Sequence, residues 1–273
     1  MKAALFTGVW RDASFETVAQ LAAEVGFRAV ELRALSHLKP DSTTEQVKEI
    51  KRIADHYGLA IPVIYSNING QYVKAAAQET EQKLELLRRY TEWAGLLGAP
   101  MICHGPGGPT PQQATAEHFE RAAHGLAQAA RLLHEGGVTL LLEIHSNTLV
   151  ETVDSTLHLL ELTGSPNVGA ILDPGNMAIA GDDYGELAVQ RLGDRLLHVH
   201  TKDVAFGESS TGKPYQVALM GHGHVDHRPA YRALLAAGYE GYISLEAQVA
   251  GVEPETLIRH EYEQLQQALR DIR

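Results

Sequence analysis

The sequence predicts a (β/α)8 barrel, and three observations carry that prediction. Eight short apolar runs rich in Val, Ile and Leu alternate with longer amphipathic segments along the whole 273-residue chain. In the later runs the ionisable residues fall on one strand parity, towards the C-terminal end. No GxGxxG follows the first run, which disfavours a doubly wound sheet. Eight βα units match the barrel in number, and the length suits it, such barrels running to about 250 residues. No low-complexity linker or charge block divides the chain, so residues 1–273 are expected to form one domain.

The first strand is expected within 3–8 (AALFTG), followed by a helix with Phe15, Val18, Leu21 and Ala22 on its apolar face. The second lies within 29–34, before a helix carrying Val47, Ile50, Ile53 and Ala54. The third run, 60–66, precedes Leu84, Leu87 and Tyr90, and the fourth, 100–105, precedes Phe119, Ala123, Leu126, Ala130 and Leu133. The remaining strands are placed at 139–145, 169–175, 196–202 and 242–248. A last helix holds Leu257, His260, Tyr262, Leu265 and Leu269, and eight helices are expected in all. Ser14, Thr43, Thr115 and Thr152 stand where helices start; Gly26, Gly58, Gly98, Gly136 and Gly238 stand where they stop.

Composition narrows the function. A chain with 44% hydrophobic and 21% charged residues buries an ordinary core. A formal charge of -11 argues against nucleic acid, whose phosphates call for clustered Lys and Arg. Cys103 is the single cysteine, so no internal disulfide forms, and its parity places it in the helix-facing core. MKAALFTGVWRD lacks a signal-length apolar segment and no later run spans a bilayer, so a cytoplasmic protein without membrane contact is expected.

Strand parity then finds a site. Leu140, Leu142 and Ile144 oppose Leu141, Glu143 and His145; Ala170 and Leu172 oppose Ile171 and Asp173. Leu197 and Val199 oppose His198 and His200, and Ile243 and Leu245 oppose Ser244 and Glu246. Glu143, Asp173, His200 and Glu246 therefore meet at the barrel mouth, where three carboxylates repel one another unless protonated or held by a cation. Three oxygen ligands and one imidazole suit Mn²⁺ or Mg²⁺, with Co²⁺ and Zn²⁺ as further fits. His198 lies one layer deeper, hydrogen-bonded beneath the site, and Lys202 is positioned to reach a substrate oxygen or phosphate.

The segments LLLEIHSN, AILDPGNM, HVHTKDV and GYEGYISLEAQ resemble strand ends of the xylose-isomerase-like TIM-barrel superfamily, across essentially the whole chain. The stretch GHGHVD is similar to the family's G-x-G-x-V-D lead into the last strand. The resemblance implies one divalent metal on Glu143, Asp173, His200 and Glu246, with Glu143 and Glu246 as acid and base in the sugar-converting branches. A metal that chelates a carbonyl and its neighbouring hydroxyl acidifies the C–H between them and stabilises the enediolate. Proton return to the opposite face gives epimerisation, return to the next carbon gives isomerisation, and loss of a β-hydroxyl gives dehydration.

The leading expectation is thus an isomerase or epimerase of a small sugar, sugar phosphate or related polyol ketone. A lyase of the inosose dehydratase kind is the alternative, and a non-catalytic barrel binding a sugar or a partner protein is a third. A homo-oligomer is left open. His104, His145, Lys202, Glu151 and Asn176 are the candidate substrate contacts. Trp10 and Tyr65 are candidate pocket walls; Glu31 and Arg33 share the inner face of the second strand, to pair as a structural bridge or to contact a hydroxyl; Asp203 is a cap or a partner for Lys202. Arg228 is expected at the surface, at a helix start. An endonuclease of the same superfamily is disfavoured: Asn176 stands where a D-x-x-H needs histidine, and no D-x-H precedes GHGHVD.

Overall fold

Each predicted run overlaps a barrel strand, the first and sixth strands beginning one residue earlier than expected. The computed structural model describes residues 1–68, 71–74, 76–209 and 211–272. Its strands are β1 (Lys2–Phe6), β2 (Ala29–Arg33), β3 (Val63–Tyr65), β4 (Met101–Cys103), β5 (Thr139–Glu143), β6 (Val168–Leu172), β7 (Leu196–Thr201), β8 (Asp203–Phe206), β9 (Tyr215–Ala218) and β10 (Tyr242–Leu245). All but β8 and β9 close into one parallel barrel in the order β1-β10-β7-β6-β5-β4-β3-β2. The helices are α1 (Phe15–Val25), α2 (Ala34–His37), α3 (Thr44–His56), α4 (Ala77–Leu97), α5 (Ala116–Glu135), α6 (Val153–Thr163), α7 (Pro174–Ala180), α8 (Glu186–Leu192), α9 (Arg228–Ala236) and α10 (Pro254–Asp271). Two short helices, α2 and α7, add to the eight expected. The antiparallel hairpin β8–β9, unforeseen in the sequence, rises from the end of β7.

The caps act where sequence placed them. The Ser14 hydroxyl accepts the Thr17 N–H, and Thr43 and Gln46 exchange side-chain and backbone bonds in a capping box. Gly26 and Gly98 end their helices in the left-handed region, φ 116° and 71°, which a side chain would strain.

Two apolar layers follow from strand alternation. Outward residues such as Leu32, Ile64, Ile102, Leu140, Leu142 and Ile243 pack beneath the helices. Val63, Cys103, Leu141 and Ile171 fill the barrel interior. Cys103 therefore points inward, opposite to the expected parity, because Ile102 takes the outward position in this three-residue strand. A register shift also separates Leu197 from Val199: Ala170 pairs with Leu196 but Ile171 with His198. The skipped Leu197 turns against the interior cluster while Leu196 joins the outer layer.

Candidate metal centre

Glu143 ends β5, Asp173 follows β6 as the N-cap of α7, His200 lies near the end of β7 and Glu246 follows β10. Parallel strands gather their C-terminal ends at one rim, so these four side chains converge. One potential ligand atom from each lies within 4.8 Å of the others. His200 Nδ1 is 3.2 Å from Glu143 Oε1, 3.3 Å from Glu246 Oε2 and 3.9 Å from Asp173 Oδ2. Three carboxylate oxygens and one imidazole nitrogen at this spacing form a donor set that fits a divalent ion.

The protein also supplies its own counterweights. Lys202 is buried, and its ammonium donates to Asp173 Oδ2 and Glu246 Oε2, both at 2.7 Å. Room for its stem comes from Gly175, where a Cβ would lie 2.6 Å from Lys202 Cγ. The Asn176 amide donates to Asp173 Oδ2 at 2.7 Å and Glu143 Oε1 at 3.1 Å. The Tyr65 hydroxyl donates to Glu143 Oε2 at 2.8 Å.

Burial pushes every carboxyl of this cluster upward, and the neighbours decide the outcome. At Glu246, Lys202 and His200 overcome burial and hold the carboxyl well below the usual range. At Glu143, burial and the Glu246 charge work upward, but His145 and His200 leave it lowered. Asp173 is raised by burial and by the charges of Glu246 and Glu143, against Lys202. Burial lowers His200, yet Glu31, Glu246 and Glu143 carry it well above the ordinary imidazole value. The cluster thus favours positive charge at its centre.

Beneath it lies a second layer. Glu31, fully buried on β2, has Oε2 at 3.0 Å from both His198 Nε2 and His200 Nε2. His198 Nε2 is also 2.8 Å from Ser244 Oγ. Burial pushes Glu31 up, but His200 and His198 bring its pKa down to about 2. The expected pairing of Glu31 with Arg33 does not form: Arg33 donates to Ser36, and Glu31 reaches across the barrel.

Beside the cluster opens a cavity of about 400 Å³, whose lining includes Tyr65, Ser66, His104, Glu143, His145 and Asn147. His104 is buried, its Nε2 2.6 Å from the Tyr72 hydroxyl, and burial lowers its pKa to about 4. His145 Nδ1 is 2.8 Å from the Ser146 carbonyl oxygen. Glu151 instead accepts the Asn147 N–H at 2.9 Å and ties its own loop. Asn176 spends its amide hydrogens on Asp173 and Glu143, and Trp10 is absent from the lining.

Asp203 does not pair with Lys202; its oxygens accept the N–H groups of Val204, Gly221, Gly223 and Val225. Arg228 pairs with Asp226 on the surface, at the start of α9. No described helix is long and apolar enough to cross a membrane. Sequence reasoning missed Glu31 and the Tyr65–Glu143 bond as parts of the centre. Inward parity was the available signal for both, but the partners lie on strands that are not neighbours in the barrel, where strand-by-strand reading does not reach.

Residues 19–268 match the family described as xylose isomerase-like TIM barrel. An inosose dehydratase from Geobacillus kaustophilus (strain HTA426) is 25% identical over 250 residues, 83% of this chain and 77% of that protein. Other inosose dehydratases match over about half their length, the aligned part being 48% of the protein from Lacticaseibacillus casei. Among solved structures, an L-ribulose 3-epimerase superposes with a TM-score of 0.81 at 22% identity, covering 99% of this chain and 95% of that one. The IOLI protein with a binding zinc atom gives 0.84 at 15% identity, covering 100% of this chain and 99% of that one. At such identities the likeness is one of fold.

Proposed function

This chain belongs to the xylose isomerase-like TIM-barrel family, and from that premise we propose that it is a divalent-metal-dependent isomerase or epimerase of a small polyhydroxy ketone. The observation that carries the reading is the convergence of Glu143, Asp173, His200 and Glu246 within 4.8 Å beside a cavity lined by hydroxyl, amide and imidazole groups. These four residues would hold the ion; Mn²⁺ or Mg²⁺ suits the hard oxygens, and Zn²⁺ or Co²⁺ also fits the set. Such an ion, when bound, supplies Lewis-acid polarisation of a carbonyl and its neighbouring hydroxyl.

The side chains do the rest. Glu143 and Glu246 remove and return a proton at the carbon beside that carbonyl. Tyr65 and Asn176 each donate to Glu143, so its carboxyl plane is fixed by partners on two sides. Lys202 steadies Glu246. His104 and His145, on the cavity wall, contact substrate hydroxyls. Glu151 acts one step removed, by holding Asn147 in the lining.

A second outcome, loss of a β-hydroxyl after the same proton abstraction, is favoured by the relative named inosose dehydratase, which aligns with 83% of this chain. Elemental analysis followed by a screen of ketoses, keto-inositols and their phosphates in deuterated water tests the proposal. Deuterium on carbon, with about one ion per chain, is expected for an isomerase or epimerase. Water loss with an enone or diketone chromophore assigns the lyase. A metal-free protein whose melting is unchanged by EDTA rejects the metal reading.

A further inference from the structure

His200 stands between two groups of carboxylates and presents a different nitrogen to each. Nδ1 faces Glu143, Glu246 and Asp173 at 3.2, 3.3 and 3.9 Å. Nε2 faces Glu31 alone, 3.1 Å from Oε1 and 3.0 Å from Oε2, and both residues are fully buried. A neutral imidazole carries one N–H, and its partners decide which nitrogen keeps it. An ionised carboxylate only accepts hydrogen bonds. Glu31 therefore calls for the proton on Nε2, so that Nδ1 is the nitrogen whose lone pair is freed towards the ring of carboxylates when a cation takes the place of its proton.

We infer that Glu31 is a positioning residue for the centre: it fixes the Nε2–H form of His200 and so makes Nδ1 the metal-ligating atom. The inference rests on the metal reading above and adds to it a residue from the opposite side of the barrel. Glu31 sits on β2, separated from β7 in the barrel order by β1 and β10, so its carboxylate spans the interior. It is anchored from below by His198, whose Nε2 lies 3.0 Å from Oε2 and 2.8 Å from Ser244 Oγ. A carboxylate behind a ligating histidine orients the ring and raises its basicity, and losing such support costs about 10–100-fold in metal affinity.

The test uses zinc, which is diamagnetic, and full-length protein labelled with 15N-histidine. Two-bond 1H–15N correlation on the zinc-loaded wild type should show His200 protonated at Nε2 and bound through Nδ1. Calorimetric titration should give one zinc per chain, with affinity lowered about 10–100-fold in E31Q and at least as far in E31A. No zinc uptake by the wild type rejects the metal reading itself. Normal uptake with His200 bound through Nε2, or with native affinity in a folded E31Q or E31A, overturns the role of Glu31 alone. Two zinc ions per chain also overturn it, because Glu31 and His198 would then be ligands. The tautomer measurement needs no variant, so it decides the matter even where a substitution at this buried site prevents folding.

Discussion

Replacing Lys202 by methionine tests how the carboxylate cluster is balanced. The ammonium lies 2.7 Å from both Asp173 and Glu246, on a side chain only 10% exposed. Removing one partner of a buried ion pair costs about 3–5 kcal/mol, because the charge left behind stays buried. Asp173 lessens that cost by taking up a proton, since burial and two carboxylate neighbours already push its pKa up. The loss should therefore lie near the lower end, about 3 kcal/mol. For a chain of this size that corresponds to a fall of about 6–12 °C in Tm. The assay is thermal melting of wild type and K202M at pH 7, first in EDTA and then with saturating Mn²⁺. An ion at a hundred times its Kd adds about 2.7 kcal/mol, and in the variant it meets one positive charge fewer. The variant should bind the ion more tightly and the gap should narrow. An unchanged Tm in EDTA, or a gap identical with and without Mn²⁺, refutes the reasoning.

Glu143→Gln and Glu246→Gln each keep an oxygen ligand but lose the base, so turnover on an identified substrate should fall about 10²–10⁴-fold while some metal is retained. Near-native rates in both variants would rule out the two-glutamate scheme. Asp203→Asn offers one oxygen where two now serve four backbone N–H groups, so two bonds are lost. At about 1.5–3 kcal/mol per bond to a charged group the cost is about 3–6 kcal/mol, and a urea titration showing under about 1 kcal/mol would contradict it. Glu261, buried on α10, has one oxygen bonded to the Met220 N–H and the other without a partner among the described residues; burial pushes its pKa from 4.5 up to about 7. Between those values the native state holds a proton that the unfolded chain has released, so this group's contribution to stability falls as pH rises through that window. Glu261→Gln should remove that dependence and stabilise the protein by up to about 3 kcal/mol at pH 8; denaturant titrations at pH 5 and pH 8 that give parallel changes in both proteins would count against it.

What could be read in the sequence was whatever is local or periodic. The barrel strands, the caps at Ser14 and Thr43, and the inward parity of Glu143, Asp173 and His200 all follow from neighbours within a few positions. Parity failed at β4, where Met101, Ile102 and Cys103 are all apolar and three residues give no polar position to fix the phase. There His104 suggested the inner face, yet it lies just beyond the last strand residue, where alternation no longer binds. The hairpin β8–β9 escaped because Asp203–Phe206 runs on almost directly from β7 and Tyr215–Ala218 follows the polar stretch GESSTGKP, so neither stood out as a separate apolar run. The environment of Lys202 was illegible for a different reason. A lysine past a strand end is ordinarily solvated, and only the three-dimensional closeness of Asp173, Glu246 and Gly175 buries this one.

The quartet comes entirely from residues 143–246, in β5, β6, β7 and β10 or just after them, whereas the supports Glu31 and Tyr65 come from β2 and β3. The two halves of the chain therefore differ in what they hand down. A recombination that exchanged the first half for that of another barrel would carry all four proposed ligands across intact. It would still leave His200 without Glu31, and Glu143 held by Asn176 alone, unless the incoming half brought a glutamate and a tyrosine at the matching strand positions. Conversely, a lineage can retune this centre through its first half while every ligand codon stays untouched.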